Sequence, residues 1–291
     1  MNSPFDVVDK FKATMSVQRL CDALGVSRSS YYATRKRTPS ARAVGEASLR
    51  TRVRAIHAEH RGRYGSPRIH AELKAQGVRV SRKRVERIMR VEGIRAKTRR
   101  PFKRTTDSEH RLPIAPNLLA QNFLASGRNQ VWAGDITYVW CAEGWCYVAV
   151  LLDLYARKVI GWAVGRRMNR ALPLRALRMA LTTRKPPRGL IHHTDRGSQY
   201  ASHDYRAELN GIGARQSMSR AGNCWDNAVS ETFFATLKKE LIHLHTFATA
   251  TEVYDALADY IDNYYNARRR HSTIGYAIPD ELDRQAVVEA A

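Results

Sequence analysis

The sequence predicts an α/β body behind an all-α, strongly basic front. Three observations carry that reading. Apolar residues in the first hundred positions recur at helical spacing around short Gly-containing turns. From about residue 126, three β-rich runs follow one another at hairpin spacing and then alternate with helices. The positive charge is concentrated ahead of the strands: of 291 residues, 49 are Lys or Arg and 27 are Asp or Glu, a net charge of +22. Residues 1–110 hold 27 and 10 of these, so +17 lies there, whereas residues 111–291 hold 22 and 17. A surplus of that size marks a polyanionic partner, nucleic acid first. Its uneven placement implies a binding module attached to a body with another task. The plain alternative is a generically basic, solvated surface.

The front divides into two helix-turn-helix units. In the first, within residues 1–44, Val17, Leu20 and Leu24 share a helical face, Gly25 permits the turn, Val26 plugs the core and Ser27 is placed to N-cap a helix presenting Arg28, Ser29 and Tyr32. In the second, residues 45–100, Ser66 is read as a cap with Pro67 at the first helical position. Gly77 ends that helix and Ser81 caps the next. The latter turns Val85, Ile88 and Met89 inward and leaves Arg82, Lys83, Arg84 and Arg87 outward, as a recognition helix would. Periodicity then disappears, and the Pro-, Thr- and Lys/Arg-rich stretch 101–125 reads as a linker.

The body, residues 126–285, opens with the strands "NQVWAGDITYVW", "WCYVAVLLDLY" and "RKVIGWAV". There follow a helix, "ALPLRALRMALTT", a short buried strand, "GLIHHTD", a helix, "SHDYRAELNGIG", a strand, "ARQSMS", and a long helix, "DNAVSETFFATLKKEL". Three antiparallel strands and then helix, strand, helix, strand, helix is the order of a ribonuclease-H-like α/β fold with a mixed five-stranded sheet. No run of about 18 apolar residues occurs, so no membrane span is expected. The opening "MNSPFDVVDKFKATM" carries acids and lacks the apolar core of a secretory signal. Cys21, Cys141, Cys146 and Cys224 show no C-x-x-C spacing, and Cys141 and Cys146 read as packed thiols around the turn "AEGW". The expectation is a reduced, cytoplasmic protein.

A carboxylate at the mouth of a buried strand needs a partner, and "HHTDRGSQY" ends its strand on Asp195. Asp135 sits midway along the first strand and Glu231 on the late helix. In the expected fold these three places converge on one edge of the sheet. Three converging carboxylates repel and must share cations; hard oxygen donors suit Mg²⁺, with Mn²⁺ as substitute, and two such ions can serve phosphoryl transfer. Lys238, seven residues past Glu231, lies within about 20° of its helical face, and Asn227 lies one turn before it. Asp153 reads as structural and Asp226 as a cap for the late helix. His192 and His193 lack further partners at zinc-ligand spacing, and His193 reads instead as a hydrogen-bonding group near the site. Trp132, Trp145 and Trp162 read as core aromatics. The turn "NARRRHS", with Arg269 and His271, is either a solvated basic turn or, preferably, a contact with DNA backbone.

The pieces "WAGDITYV", "HHTDRGSQY", "SMSRAGNCWDNAVSETFFATLKKE" and "YYNARRRHSTIGYAIPDE" resemble those of insertion-sequence transposases with an integrase-type core, the product of the downstream frame of a two-frame element. The resemblance covers nearly the whole chain. It implies an acidic triad at Asp135, Asp195 and Glu231 as catalytic and metal-binding residues, with a downstream cation at Lys238. It also implies binding of element ends and target as double-stranded DNA, metal-dependent cleavage and strand transfer, an upstream-frame partner or fusion, self-association on DNA and a bacterial, nucleoid-associated location. DNA contacts are expected at Lys238, Asn227, Arg28, Arg82, Lys83, Arg84, Arg87, Arg269 and His271. No leucine-zipper heptad is evident. A DNA-binding regulator with a silent core and a ribonuclease acting on hybrids are the rival readings.

Overall fold

The computed structural model describes residues 3–36, 38, 40–97, 112–220 and 224–288. Among the described residues, its front consists of helices joined by turns. Helices α1 (Pro4–Phe11), α2 (Val17–Ala23) and α3 (Arg28–Lys36) enclose a small core of Val8, Leu20, Cys21 and Tyr31. Ser27 caps α3 as the sequence predicts, its hydroxyl accepting from Ser30 N at 3.4 Å. Gly25 takes the φ of +65° that the turn demands.

Helix α4 (Ala41–Glu59) runs straight through the expected boundary between residues 44 and 45. Helices α5 (Ser66–Ala75) and α6 (Arg82–Val91) fold back on it, burying Leu49, Val53, Ile56, Ile69, Leu73, Val85, Ile88 and Met89. Ser81 caps α6 by accepting from Arg84 N at 3.3 Å. Ser66 does not cap α5: it is the first helical residue, Gly65 precedes it, and its hydroxyl donates to Glu86 at 3.3 Å.

The sheet has the order β3-β2-β1-β4-β5. β1 (Val131–Cys141), β2 (Gly144–Asp153) and β3 (Lys158–Gly165) form an antiparallel meander, and β4 (Ile191–Thr194) and β5 (Arg215–Met218) add parallel strands on the other side of β1. Most of β2 is a continuous apolar run because helices cover both faces of the sheet. On one face α7 (Ala171–Arg184) and α8 (His203–Gly211) pack on Trp132, Leu151 and Ile160. On the other lie α9 (Ala228–Glu240), α10 (Ala250–Ala258) and a π-helical segment, Asp259–Asn266. The apolar cluster on that face is continuous with the core of α4–α6, so this part of the front is packed onto the body. The chain closes with α11 (Pro279–Val288).

Residues 101–111 of the expected linker lie outside the described residues, whereas 112–125 pack on the body with Leu119 buried. Among the described residues no helix is long and apolar enough to cross a membrane. Asp153, fully buried, accepts from Asn129 N at 2.8 Å, Tyr155 N at 3.0 Å and Arg184 Nη2 at 2.7 Å, in agreement with its structural reading. Trp132 and Trp162 are core residues, but Trp145 is not. It is 47% exposed and meets Trp140 edge-on at 5.0 Å and Tyr138 at 5.1 Å on the open side of the β1–β2 hairpin. The pairing of Trp140 with Trp145 across the hairpin is the signal that could have found this cluster.

Candidate active site

Two parallel strands in register position the aspartates. Val131 is level with Ile191, Trp132 with His192 and Ala133 with His193. The ladder ends there; Asp195 directly follows β4, and its nearness to Asp135 shows in the effect of its charge on the Asp135 carboxyl. Both carboxylates are anchored locally: Asp135 Oδ1 accepts from Ile136 N at 2.7 Å, and Asp195 Oδ1 from Gly197 N at 2.9 Å. The glycines beside them are there for space. A Cβ on Gly134 would stand 3.3 Å from Thr194 Cγ2, and one on Gly197 would stand 3.0 Å from Asp195 Oδ1.

Helix α9 supplies the third carboxylate. Ser230, Phe233, Phe234 and Leu237 form its buried stripe. That leaves Glu231 exposed in the first turn, where the helix dipole favours an anion. Lys238 lies on the same helix, its Nζ 4.9 Å from the ring centroid of Tyr138 on β1. Asp135 senses the other three. Burial pushes the Asp135 carboxyl well above the usual carboxylate range, and the charges of Asp195 and then Glu231 push it further, against the Ile136 N–H and the charge of Lys238. Among the described residues no three His, Cys, Asp or Glu side chains form a ready-made metal cage. The donor set nonetheless fits a hard divalent cation, because it is oxygen-only and carries more negative charge than Lys238 offsets.

The start of α9 is fixed by polar contacts, His193 hydrogen-bonding beside the site as the sequence suggests. His193 Nε2 donates to the Asp226 carbonyl at 2.8 Å while its Nδ1 faces Ser217 Oγ at 2.8 Å. His192 Nε2 pairs with the Tyr205 hydroxyl at 2.7 Å. The two rings thus serve as ties between elements. Asp226 does not cap α9. Its carboxylate takes Arg220 Nε and Nη2 at 2.9 Å each, Asn117 at 2.9 Å and Gln121 at 3.2 Å. The Arg220 guanidinium holds its carboxyl far below the usual carboxylate range, against the effect of burial.

Of the expected DNA contacts, Arg28, Arg82, Lys83, Arg84 and Arg87 are exposed on the front. Arg84 and Arg87 both bond Glu46 of α4 at 2.7 Å, and Arg82 bonds Glu86 at 2.8 Å. Three expected contacts need correction. Asn227 is 6% exposed, enclosed where a 3₁₀ turn meets α9. Arg269 is 2% exposed and bonds Glu240 at 2.8 Å. His271 is half-buried and accepts from Arg269 Nη1 at 3.0 Å. As they stand, none of these three side chains is presented to a DNA surface.

The sequence matches the "Integrase core domain" family models over residues 125–224 and 212–279 and an "HTH-like domain" model over residues 45–102. It is 43% identical over 260 residues to an uncharacterized 31 kDa protein of insertion element IS600 from Shigella sonnei, covering 89% of this chain and 96% of the other. It is 42% identical over 280 residues to the transposase InsF of insertion sequence IS3A from Escherichia coli, covering 96% and 97%. A magnesium complex of the HTLV-2 integrase catalytic core aligns at 14% identity and a TM-score of 0.43, covering 55% of this chain and 99% of that one. With 42% identity to InsF along almost the entire length of both proteins, the chain belongs to the IS3 family of insertion-sequence transposases, DNA transposases of the polynucleotidyl transferase type.

Proposed function

We propose that this transposase binds the ends of its element through the basic front and cuts and rejoins DNA at Asp135, Asp195 and Glu231. The observation that supports this reading is the parallel pairing of β1, which carries Asp135, with β4, which ends just before Asp195; burial and then the charges of Asp195 and Glu231 raise the Asp135 carboxyl. The three carboxylates would hold two Mg²⁺ or Mn²⁺ ions. Such ions, when bound, lower the pKa of an attacking water and stabilise a leaving oxygen. The chain's own part is to orient. The Ile136 and Gly197 amides hold one oxygen of each aspartate, and Lys238 offers a phosphate a point charge on the same side.

In this reading water frees a 3′-hydroxyl, and that hydroxyl then attacks another phosphodiester, so no side-chain nucleophile is needed. Residues 1–44 and 45–100 form the end-binding front, with Arg28, Arg82, Lys83, Arg84 and Arg87 meeting phosphates or bases. Residues 126–285 form the catalytic body. The chain works as an oligomer on DNA, with or fused to an upstream-frame product.

Asp135→Asn, Asp195→Asn and Glu231→Gln each test it. Each should reduce cleavage and strand transfer in Mg²⁺ to below about 1% of wild type, by analogy with removing one member of a catalytic unit. End affinity in a mobility-shift assay should hold. A variant that keeps a tenth of the activity removes its residue from the site. A wild-type chain that binds ends but never nicks them in Mg²⁺ or Mn²⁺ would favour the silent-core regulator.

A further inference from the structure

The far end of the catalytic helix is buried in a seam between the front and the body. Glu240, the last residue of α9, is 7% exposed. Its carboxylate accepts from Arg269 Nη2 at 2.8 Å, Arg269 Nε at 2.9 Å and the Tyr260 hydroxyl at 3.0 Å. Its backbone carbonyl accepts from Arg63 Nε at 3.1 Å. Arg63 lies in the connection between α4 and α5, with its guanidinium 4.3 Å from the ring centroid of Tyr264. Arg68 of α5 stands 3.9 Å from the same carboxylate and donates to the Arg270 carbonyl at 3.0 Å. Tyr64, fully buried, accepts from Arg270 N at 2.8 Å, and Arg270 bonds Glu72 of α5 at 2.7 Å. The loop residues Arg269 and Arg270 thus join α9 on one side to α5 on the other.

A buried ion pair is a weak way to add stability, since apolar residues of similar volume do as well or better. What it supplies is direction. Fork-shaped donors converge on one carboxylate, and the end of α9 has a single seat. We propose that the Glu240–Arg269 pair is a joint through which the DNA-bound front sets the position of α9, so that Glu231 and Lys238 meet a DNA end in one phase only. The proposal rests on the reading that the front binds ends and the acidic triad cuts them. Glu231 lies nine residues before Glu240 on one uninterrupted helix, roughly 13 Å away along its axis. A tilt at the joint is therefore delivered to the triad, where a misplacement of about 1 Å can reduce rate about a hundredfold. Glu240 and Arg269 are positioning residues: neither touches DNA or the reacting atoms.

The test uses the full chain with Glu240→Gln, which keeps shape and loses charge, and Arg269→Lys, which keeps charge and loses the fork. Duplex element ends in Mg²⁺ are followed for affinity, single-turnover cleavage at saturating DNA, and the nucleotide at which the cut falls. Both variants should bind within about threefold of wild type, cut at least tenfold more slowly and scatter the cut over neighbouring phosphates. Arg269→Lys should be the milder. Wild-type rate at a single cut position in both variants overturns the joint. So does a loss of cutting matched by an equal loss of binding, which is what simple unfolding gives. Hydrogen exchange reads the same coupling with no cutting required. End DNA should slow exchange in α4–α6 and α9 of the wild type, but only in α4–α6 of the variants. Unchanged α9 protection in the variants counts against the joint. A wild type that shows the coupling yet never cuts counts against the catalytic reading alone.

Discussion

Lys238 marks the point where charge on α9 meets the catalytic strand. Its ammonium stands 4.9 Å from the Tyr138 ring and within electrostatic reach of Asp135, yet it lies seven residues along the helix from Glu231. That is roughly 10 Å of axial rise, too far to share one ion's ligand shell. Lys238→Ala should therefore leave Mg²⁺-induced stabilisation of the chain intact. It should weaken engagement of the cleaved end by about 10- to 100-fold, the worth of one charge-assisted hydrogen bond. Lys238→Arg should recover part of that, in a strand-transfer assay on pre-cut ends. Loss of Mg²⁺ stabilisation in Lys238→Ala would place the lysine inside the metal site. The positions of Asp135 on β1, of Asp195 just past β4 and of Glu231 and Lys238 on one helix were legible in the sequence, because strand ends and helical spacing place them before any packing is known. Asn227 and Arg269 were not. Helical phase puts Asn227 on the face of Glu231, but a 3₁₀ turn and neighbouring side chains bury it. Arg269 looks like a surface cation until Glu240, 29 residues earlier, supplies its partner.

Among the elements, α7 packs very closely on β3 at Gly161. A Cβ at Gly161 would lie 2.2 Å from the Ala176 carbonyl oxygen and 3.0 Å from the Ala180 methyl. Both obstacles belong to a packed helix, not to a flexible side chain, so α7 would have to lift off the sheet. Gly161→Ala should destabilise the body by about 3 kcal/mol, at the upper end of overpacking costs, as a lowered urea midpoint with unchanged slope. Gly134→Ala, facing Thr194 at 3.3 Å, should be milder in stability and more harmful to cleavage, because it parts the strands carrying Asp135 and Asp195. The five strands were readable because their apolar runs and turn spacing are local properties. Helix α4 was harder. Its apolar positions Leu49, Val53 and Ile56 are interleaved with arginines, and half of the core they enter comes from α5 and α6. The π-helical turn at Asp259–Asn266 leaves no mark in the periodicity at all; its tyrosines Tyr260, Tyr264 and Tyr265 are buried between front and body.

For the whole molecule, charge asymmetry was legible but docking was not. The α4–α6 part of the basic front is no free appendage, since its core runs into that of the sheet. This docking makes front and body share a pH response. Burial holds His60 neutral down to about 4, His192 down to about 3 and His271 down to about 2, with nearby arginines adding to the effect at His60 and His271. His60 stacks on Tyr64 and His271 bonds Arg269, both in the seam, while His192 lies on β4 ahead of Asp195. A histidine whose folded pKa is depressed contributes stability that is complete above the unfolded value near 6.5. That contribution is lost as pH falls, because the unfolded chain takes up protons the fold refuses. Buried His193 is depressed as well, and the raised carboxyl of Asp135 works the other way; four rings less one carboxyl give a slope of up to about 4 kcal/mol per pH unit below 6.5, against a typical total of about 5–15 kcal/mol. The depressed carboxylates Asp226 and Asp283 act only below their ordinary value of 3.8, so they do not confuse this window. Urea unfolding at pH 7.5, 6.5 and 5.5 should therefore show little change over the first step and a large fall over the second. His60→Gln should reduce the second fall by about a third. Equal stability at 6.5 and 5.5 would mean that the seam admits protonated histidine, and that front and body are not held together as tightly as their shared core implies.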